Sequence, residues 1–301
     1  MSAPAPLTAS FGAHPCLGDT VCLASAAIHL IRNLSLEVAL YAEKFSRLLR
    51  AYAEPGLIAL DRDPGLPSIV LRVHPFHRTR HNLNGHNNFV GAYVAALGFS
   101  FAGHPAVVCP DLEPVHERFG LEDRGYCLLQ PYARTLGRHD LSPGQLQGLV
   151  DLVRAEFDLP VVVGGKEDTP RDLAGVHYAL GDVEVFLPLI ARAKFVLGPE
   201  SAAAHIAAGY RVPAVVWHSP ERDDFMWLFS YPEWVRRLCH NDPGSVGQAL
   251  AVMRPILGAQ DRIRAALRAL GRADLLPRAA GFIQGDEAGF IDRLLAEGGE
   301  A

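Results

Sequence analysis

Residues 194–218, KFVLGPESAAAHIAAGYRVPAVVWH, gather three polar side chains, Glu200, Ser201 and His205, at the mouth of a strand–turn–helix–strand pattern. Phe195–Leu197 is a short apolar run, and Gly198-Pro199 breaks it. Ser201–Ala208 is a run of small helix formers that Gly209 closes, and Ala214–Trp217 starts the next strand. A helix that opens just after a strand points backbone N–H groups and the positive end of its dipole at whatever lies above the sheet. A diphosphate suits that place, and alanines such as Ala202 let the backbone come close to it.

A second site lies near the amino terminus. Gly18-Asp19 opens the helical stretch TVCLASAAIHLIRN. Gly18 permits a close approach or a positive φ. Asp19 falls at or near the first turn, where an Asp acts as an N-cap or, facing a ligand, as a general base. The spacing leaves both roles open. Residues 74–89, HPFHRTRHNLNGHNNF, carry four His, two Arg and four Asn. No carboxylate or Cys accompanies them, so a metal site is the weaker reading. A loop whose His77, Arg78, His81 and Asn84 hydrogen-bond a sugar or an anionic acceptor is the stronger one, with a plain polar loop as the third. Residues 218–234 bring Trp227, Phe229 and Trp234 together, either to cover a sugar or base or to pack between lobes.

The elements that must hold these residues alternate. Apolar runs of strand length occur at 36–40, 57–60, 69–73, 106–109, 127–130, 160–163, 195–197 and 214–217. Helical stretches lie at 19–32, 42–52, 88–97, 142–157, 184–193, 201–208 and 244–257, and 258–301 is helical with a break at 276–281. Such alternation predicts parallel sheets covered by helices, with about five strands before the polar stretch 111–126 and about four after it. The expected division is an amino-terminal lobe over 1–122, a second lobe over 123–275 and a helical tail over 276–301, with a ligand in the cleft at the carboxyl ends of the strands.

Composition narrows the partners. The chain has 301 residues, 49% of them hydrophobic, and a net charge of −5 with acids and bases interspersed. No basic stripe invites nucleic acid. No apolar run reaches membrane-spanning length, and no secretory leader is evident, so a cytoplasmic location is expected. The five cysteines, without C-x-x-C spacing, read as reduced thiols.

Gly18-Asp19 with its Ala-rich helix resembles the start of the heptosyltransferases, glycosyltransferase family nine. GPESAAAHIAAGYRVP resembles that family's donor motif, D-[ST]-G-x-x-H-x-A-A-A-x-x-x-P, with Glu200 in place of Asp and Ala202 in place of Gly. PVVVGGKEDTPRDLAG and GDVEVFLPLIARAKFVLG are similar to the stretches between. The resemblance covers most of the carboxyl-terminal half and is thin elsewhere in the amino-terminal half. It implies a GT-B architecture, two Rossmann-like doubly wound lobes facing a cleft. It implies inverting, metal-independent transfer of a sugar, heptose among the candidates, from a nucleotide-diphosphate donor, with no further cofactor. Asp19 then matches the base, Ser201 and His205 the diphosphate site, and Glu167 the acid near the ribose. In QPYARTLGRHDLSP, Thr135 with Arg134 or Arg138 would hold the phosphates, since a diphosphate leaving group without a metal needs positive charge. The acceptor, expected on the amino-terminal lobe, is a glycan, a small molecule or a protein. Two other readings stand beside this one: a GT-B nucleotide-sugar epimerase or hydrolase, and a non-catalytic GT-B binding protein.

Overall fold

A computed structural model describes residues 7–11, 16–62, 69–71, 88–99, 105–133, 141–218, 231, 235–239, 245–282 and 286–297. The chain forms two compact α/β units. The first takes the described residues of Met1–Glu113 together with Ser201–Tyr210. The second takes those of Pro114–Glu200, Arg211–Asp223 and Tyr231–Ala301.

In the first unit, β1 (Leu7–Phe11), β2 (Val38–Tyr41), β3 (Leu57–Leu60) and β4 (Ile69–Leu71) form a parallel sheet in the order β3-β2-β1-β4. Among the described residues, three helices precede residue 113: α1 (Leu17–Leu34), α2 (Ser46–Ala51) and α3 (Phe89–Ala96). Helix α1 is buried at almost every position from Gly18 to Ile31, which suits its run of Ala, Cys, Val and Leu. It ends at Ser35, which adopts a left-handed conformation and donates its N–H to the Ile31 carbonyl. Asn88 caps α3: its side chain accepts from the Gly91 N–H at 3.0 Å and donates to the Pro105 carbonyl at 2.9 Å.

In the second unit, six parallel strands run in the order β10-β9-β8-β5-β6-β7. They are β5 (Cys127–Leu129), β6 (Val161–Gly165), β7 (His177–Leu180), β8 (Phe195–Pro199), β9 (Ala214–His218) and β10 (Val235–Cys239). Alternate residues of each central strand face opposite ways. Cys127, Leu129, Val161, Val163, Phe195, Leu197, Val215 and Trp217 pack with α4 (Pro143–Phe157) and α7 (Ser245–Ala269). On the other face, Leu128 and Phe186 of α5 (Val183–Arg192) meet over Gly164, where a side chain would collide with Leu128 at 2.9 Å. A Ser142–Gln145 capping box starts α4. Ala259, Ile263 and Leu267 of α7 form a separate small core with Leu275, Ala279 and Phe282 of a 3-10 segment (Ala273–Gly281) and Leu294 of α8 (Glu287–Glu297).

Among the described residues the two sheets have four and six strands, against the expected five and four, and particular segments differ for local reasons. Residues 106–109 are not a strand. The Ser25 hydroxyl, wholly buried in α1, accepts from the Val108 N–H at 2.9 Å and lies 3.1 Å from the Val108 carbonyl. His29 bonds the Ala106 carbonyl at 2.8 Å. Side chains thus satisfy backbone groups that a neighbouring strand would otherwise take. Strands β1, β7 and β10 escape the apolar pattern: LTASF has small residues between its terminal Leu7 and Phe11, while HYAL and VRRLC lie at the two sheet edges. Replacing Ser25 with Ala strips the Val108 N–H of its partner. The variant is expected to lose about 1–3 kcal/mol of stability, read as a lower denaturant midpoint at unchanged m-value.

Candidate functional site

The helix that follows β8, α6 (Ala202–Gly209), packs within the first unit against α1, although its flanking strands belong to the second unit. Two glycines make that packing possible. A Cβ at Gly18 would stand 3.1 Å from His205 Cδ2 and 3.3 Å from Ala202 Cα. At the other end of α6, a Cβ at Gly209 would stand 2.5 Å from Cys109 Sγ and 3.0 Å from Val107 Cγ1. Gly209 is therefore the closing residue of the helix and also its point of tightest approach. Tyr210 follows, and its hydroxyl donates to the Pro110 carbonyl at 2.7 Å. Ala203, Ala204, Ile206, Ala207 and Ala208 are all buried, and the small side chains let α6 settle this deeply.

Asp19 and His205 come together inside this packing. Asp19 is the third residue of α1, and the N-cap position belongs to Cys16, so Asp19 does not cap the helix. Its carboxylate is 8% exposed and accepts a hydrogen bond at Oδ1 from the Tyr93 hydroxyl at 2.9 Å. Tyr93 lies on α3, one turn beyond Phe89, so the two rings share a helix face. The Phe89 ring lies 4.9 Å from that of Tyr93 and 5.4 Å from that of His205. Tyr93 and His205 are 0% and 2% exposed. Burial, joined by the negative charge of Asp19, pushes the Tyr93 phenol well above its ordinary range, so it stays a donor. Burial lowers the His205 imidazole to about 3, only partly opposed by Asp19. At neutral pH His205 is uncharged, and any phosphate it meets finds a hydrogen-bonding ring and not a cation.

The remaining predicted residues separate into three groups. Ser201 is the N-cap of α6, and its hydroxyl accepts from the Ala203 N–H at 3.3 Å. Ala202 is half-buried beside Gly18. Glu200 and Glu167 lie in the second unit, just past the carboxyl ends of β8 and β6, on either side of β5. Glu167 is exposed; Glu200 is half-buried, and its N–H donates to the Trp217 carbonyl at 2.9 Å. Arg134, Thr135, Arg138, His77, Arg78, His81 and Asn84 lie outside the described residues, as do Trp227, Phe229 and Trp234.

Strand order marks one place in each unit where open α/β sheets take ligands. The first sheet reverses its direction of growth between β1 and β4, and Asp19 opens the helix after β1. The second sheet reverses between β5 and β8, where a Cβ at Gly198 would stand 3.2 Å from the Gln130 carbonyl oxygen. Ligands of open α/β sheets bind at the carboxyl ends of strands at such reversals. Tyr93 is the site residue that sequence reading misses, since a Tyr within FVGAYVAA looks like core; Asn88, a cap three residues before Gly91, was its nearest signal. Among the described residues, no three His, Cys, Asp or Glu side chains assemble as a metal site. Cys16, Cys22, Cys109 and Cys127 form no disulfide among the described residues.

No protein-family model matches the chain, and no curated protein matches it. Solved structures do. ADP-heptose LPS heptosyltransferase II of E. coli is 13% identical over 85% of this chain and 99% of its own, with a TM-score of 0.61. A glycosyl transferase family 9 protein from Veillonella parvula is 13% identical over 85% and 98%, at 0.59. TibC, an iron-containing dodecameric glycosyltransferase from enterotoxigenic E. coli, is 15% identical over 71% and 58%, at 0.54. The fold is GT-B. Among the described residues, no helix is long and apolar enough to cross a membrane.

The buried neutral His205 ties stability of the GT-B chain to pH. Its pKa is lowered from 6.5 to about 3, so between those values the unfolded chain binds the extra proton. The stability linked to neutral His205 is complete above pH 6.5 and is lost as the pH drops toward 3. His205→Asn is expected to flatten the fall in melting temperature between pH 6.5 and pH 5, whatever its effect at neutral pH.

Proposed function

We propose that this chain is an inverting glycosyltransferase that moves a sugar from a nucleotide-diphosphate donor to an acceptor hydroxyl without a metal ion. The observation that carries the reading is the Asp19 carboxylate, held by Tyr93 in the first turn of the helix after β1, beside the helix that bears the donor-type motif. Asp19 removes the proton from the acceptor hydroxyl as that oxygen attacks the anomeric carbon. The bond from that carbon to the diphosphate oxygen breaks, and configuration inverts. The amino end of α6 and its cap Ser201 face the departing diphosphate, and Arg134 or Arg138 with Thr135 supply the counter-charge and a further donor.

Support for the nucleoside site comes from the second sheet, where Glu200 follows β8 at the reversal and Glu167 follows β6 on the far side of β5. An exposed Glu167 carboxylate suits paired ribose hydroxyls. A TibC structure contains ADP-D-beta-D-heptose, which makes ADP-heptose the first donor to try. The acceptor side falls to His77, Arg78, His81 and Asn84, whose donors suit a glycan hydroxyl or an anionic group. Glu200 and Ala202 replace Asp and Gly of the resembled motif, and the added bulk favours a change of donor.

ADP, GDP and UDP tested in turn at millimolar concentration should include one that raises the melting temperature. A ligand at about 100 times its Kd adds roughly 2.7 kcal/mol. With that donor, Asp19→Asn should keep the thermal shift and lose about 10²–10⁴-fold in transfer rate. No shift with any of the three would overturn the reading. Release of free sugar without any acceptor would point instead to a hydrolase.

A further inference from the structure

Resting on that reading, we propose that Tyr93 is a positioning residue for the base: its hydroxyl fixes the Asp19 carboxylate and keeps it ionised inside the first unit. The geometry is specific. Tyr93 Oη donates to Asp19 Oδ1 at 2.9 Å, and both side chains are withdrawn from water. A carboxylate withdrawn from water takes up a proton unless donors hold its charge. A protonated Asp19 cannot take the proton of an attacking hydroxyl, so a donor that holds the ionised form serves the reaction.

Cys16, Cys22 and His205 also lie near this pair, and none of them is a cation. Cys16 and Cys22 lie on α1 with Asp19, and neither thiol brings a positive charge. His205 on α6 is neutral above about pH 3. Tyr93 on α3 carries a proton that burial makes hard to lose, and so it remains a donor across the working pH range. The ring is fixed in turn by its 4.9 Å contact with Phe89, and the start of α3 by Asn88. These contacts restrain the ring that carries the donor, and the hydrogen bond orients the carboxylate.

The test reads Asp19 directly. Asp carboxyl carbons labelled with ¹³C are titrated by NMR in the full chain, with Asp19→Asn identifying the Asp19 signal. Tyr93→Phe keeps the ring and removes the donor, and the Asp19 midpoint should move to higher pH. Tyr52→Phe removes another buried hydroxyl of the same unit, one with no hydrogen-bond partner among the described residues, and should leave that midpoint in place. Should Tyr93→Phe not fold, uniform 3-fluorotyrosine carries the test. Its more acidic phenol donates more strongly and should move the midpoint to lower pH. In turnover, Tyr93→Phe should lower kcat about 10-fold near neutrality, with the acid limb of the pH profile shifted upward and KM for donor unchanged. An Asp19 midpoint that ignores both changes at Tyr93 overturns the proposal. A midpoint that moves in a chain that transfers no sugar overturns the glycosyltransferase reading alone.

Discussion

With no side chain at Gly18, α1 comes close enough to α6 for the imidazole of His205 to rest against its backbone, and Gly209 allows the same closeness to Cys109 and Val107 at the far end. The rest of the first unit is arranged around that contact. It withdraws Asp19 and His205 from water together, and withdrawal is what gives both their chemistry. A His in water titrates near neutrality; here it stays neutral. A carboxylate in water needs no particular donor; here it takes one from Tyr93. Burying either polar group without compensation costs several kcal/mol by transfer estimates, so the hydrogen bond from α3 is a condition of the contact and not an ornament on it.

Sheet order supplies the frame. In each unit the strands grow outward in two directions from a central pair, β1 and β4 in the first and β5 and β8 in the second. The loops leaving that pair diverge and open a gap above the sheet. Asp19 follows β1, Gln130 follows β5 and Glu200 follows β8, so residues remote in sequence share the same topological address in their own sheets.

Much of this was legible in the sequence, for identifiable reasons. Central strands such as 161–165, 195–199 and 214–218 are buried on both faces, so they read as unbroken apolar runs. Helices with clear caps, such as α4 after Ser142, start where turn chemistry says they should. Asp19, Ser201 and His205 stood out because polar residues interrupt an Ala-rich background. What escaped depended on partners distant in the chain. LTASF has no periodic signal and becomes a strand by pairing on both sides with β2 and β4. The strand-like run at 106–109 is claimed by Ser25 and His29, some eighty positions earlier. Tyr93 looks like any core aromatic until Asp19 is placed opposite its hydroxyl, 74 positions away.

The membership of α6 has a bearing on how the protein is made. Its eight residues belong to a unit whose other described residues end at Glu113, and the chain joins that unit again over Ser201–Tyr210. A nascent chain that has emerged only as far as Glu113 holds the sheet and α1 but lacks the helix that covers Gly18 and Cys109. Domains ordinarily fold one after another from the ribosome, amino-terminal first. Here the earlier one must wait, with an apolar furrow open, until much of the later one has been synthesised. Cutting the gene between the two units would therefore yield an incomplete first half that is prone to aggregate.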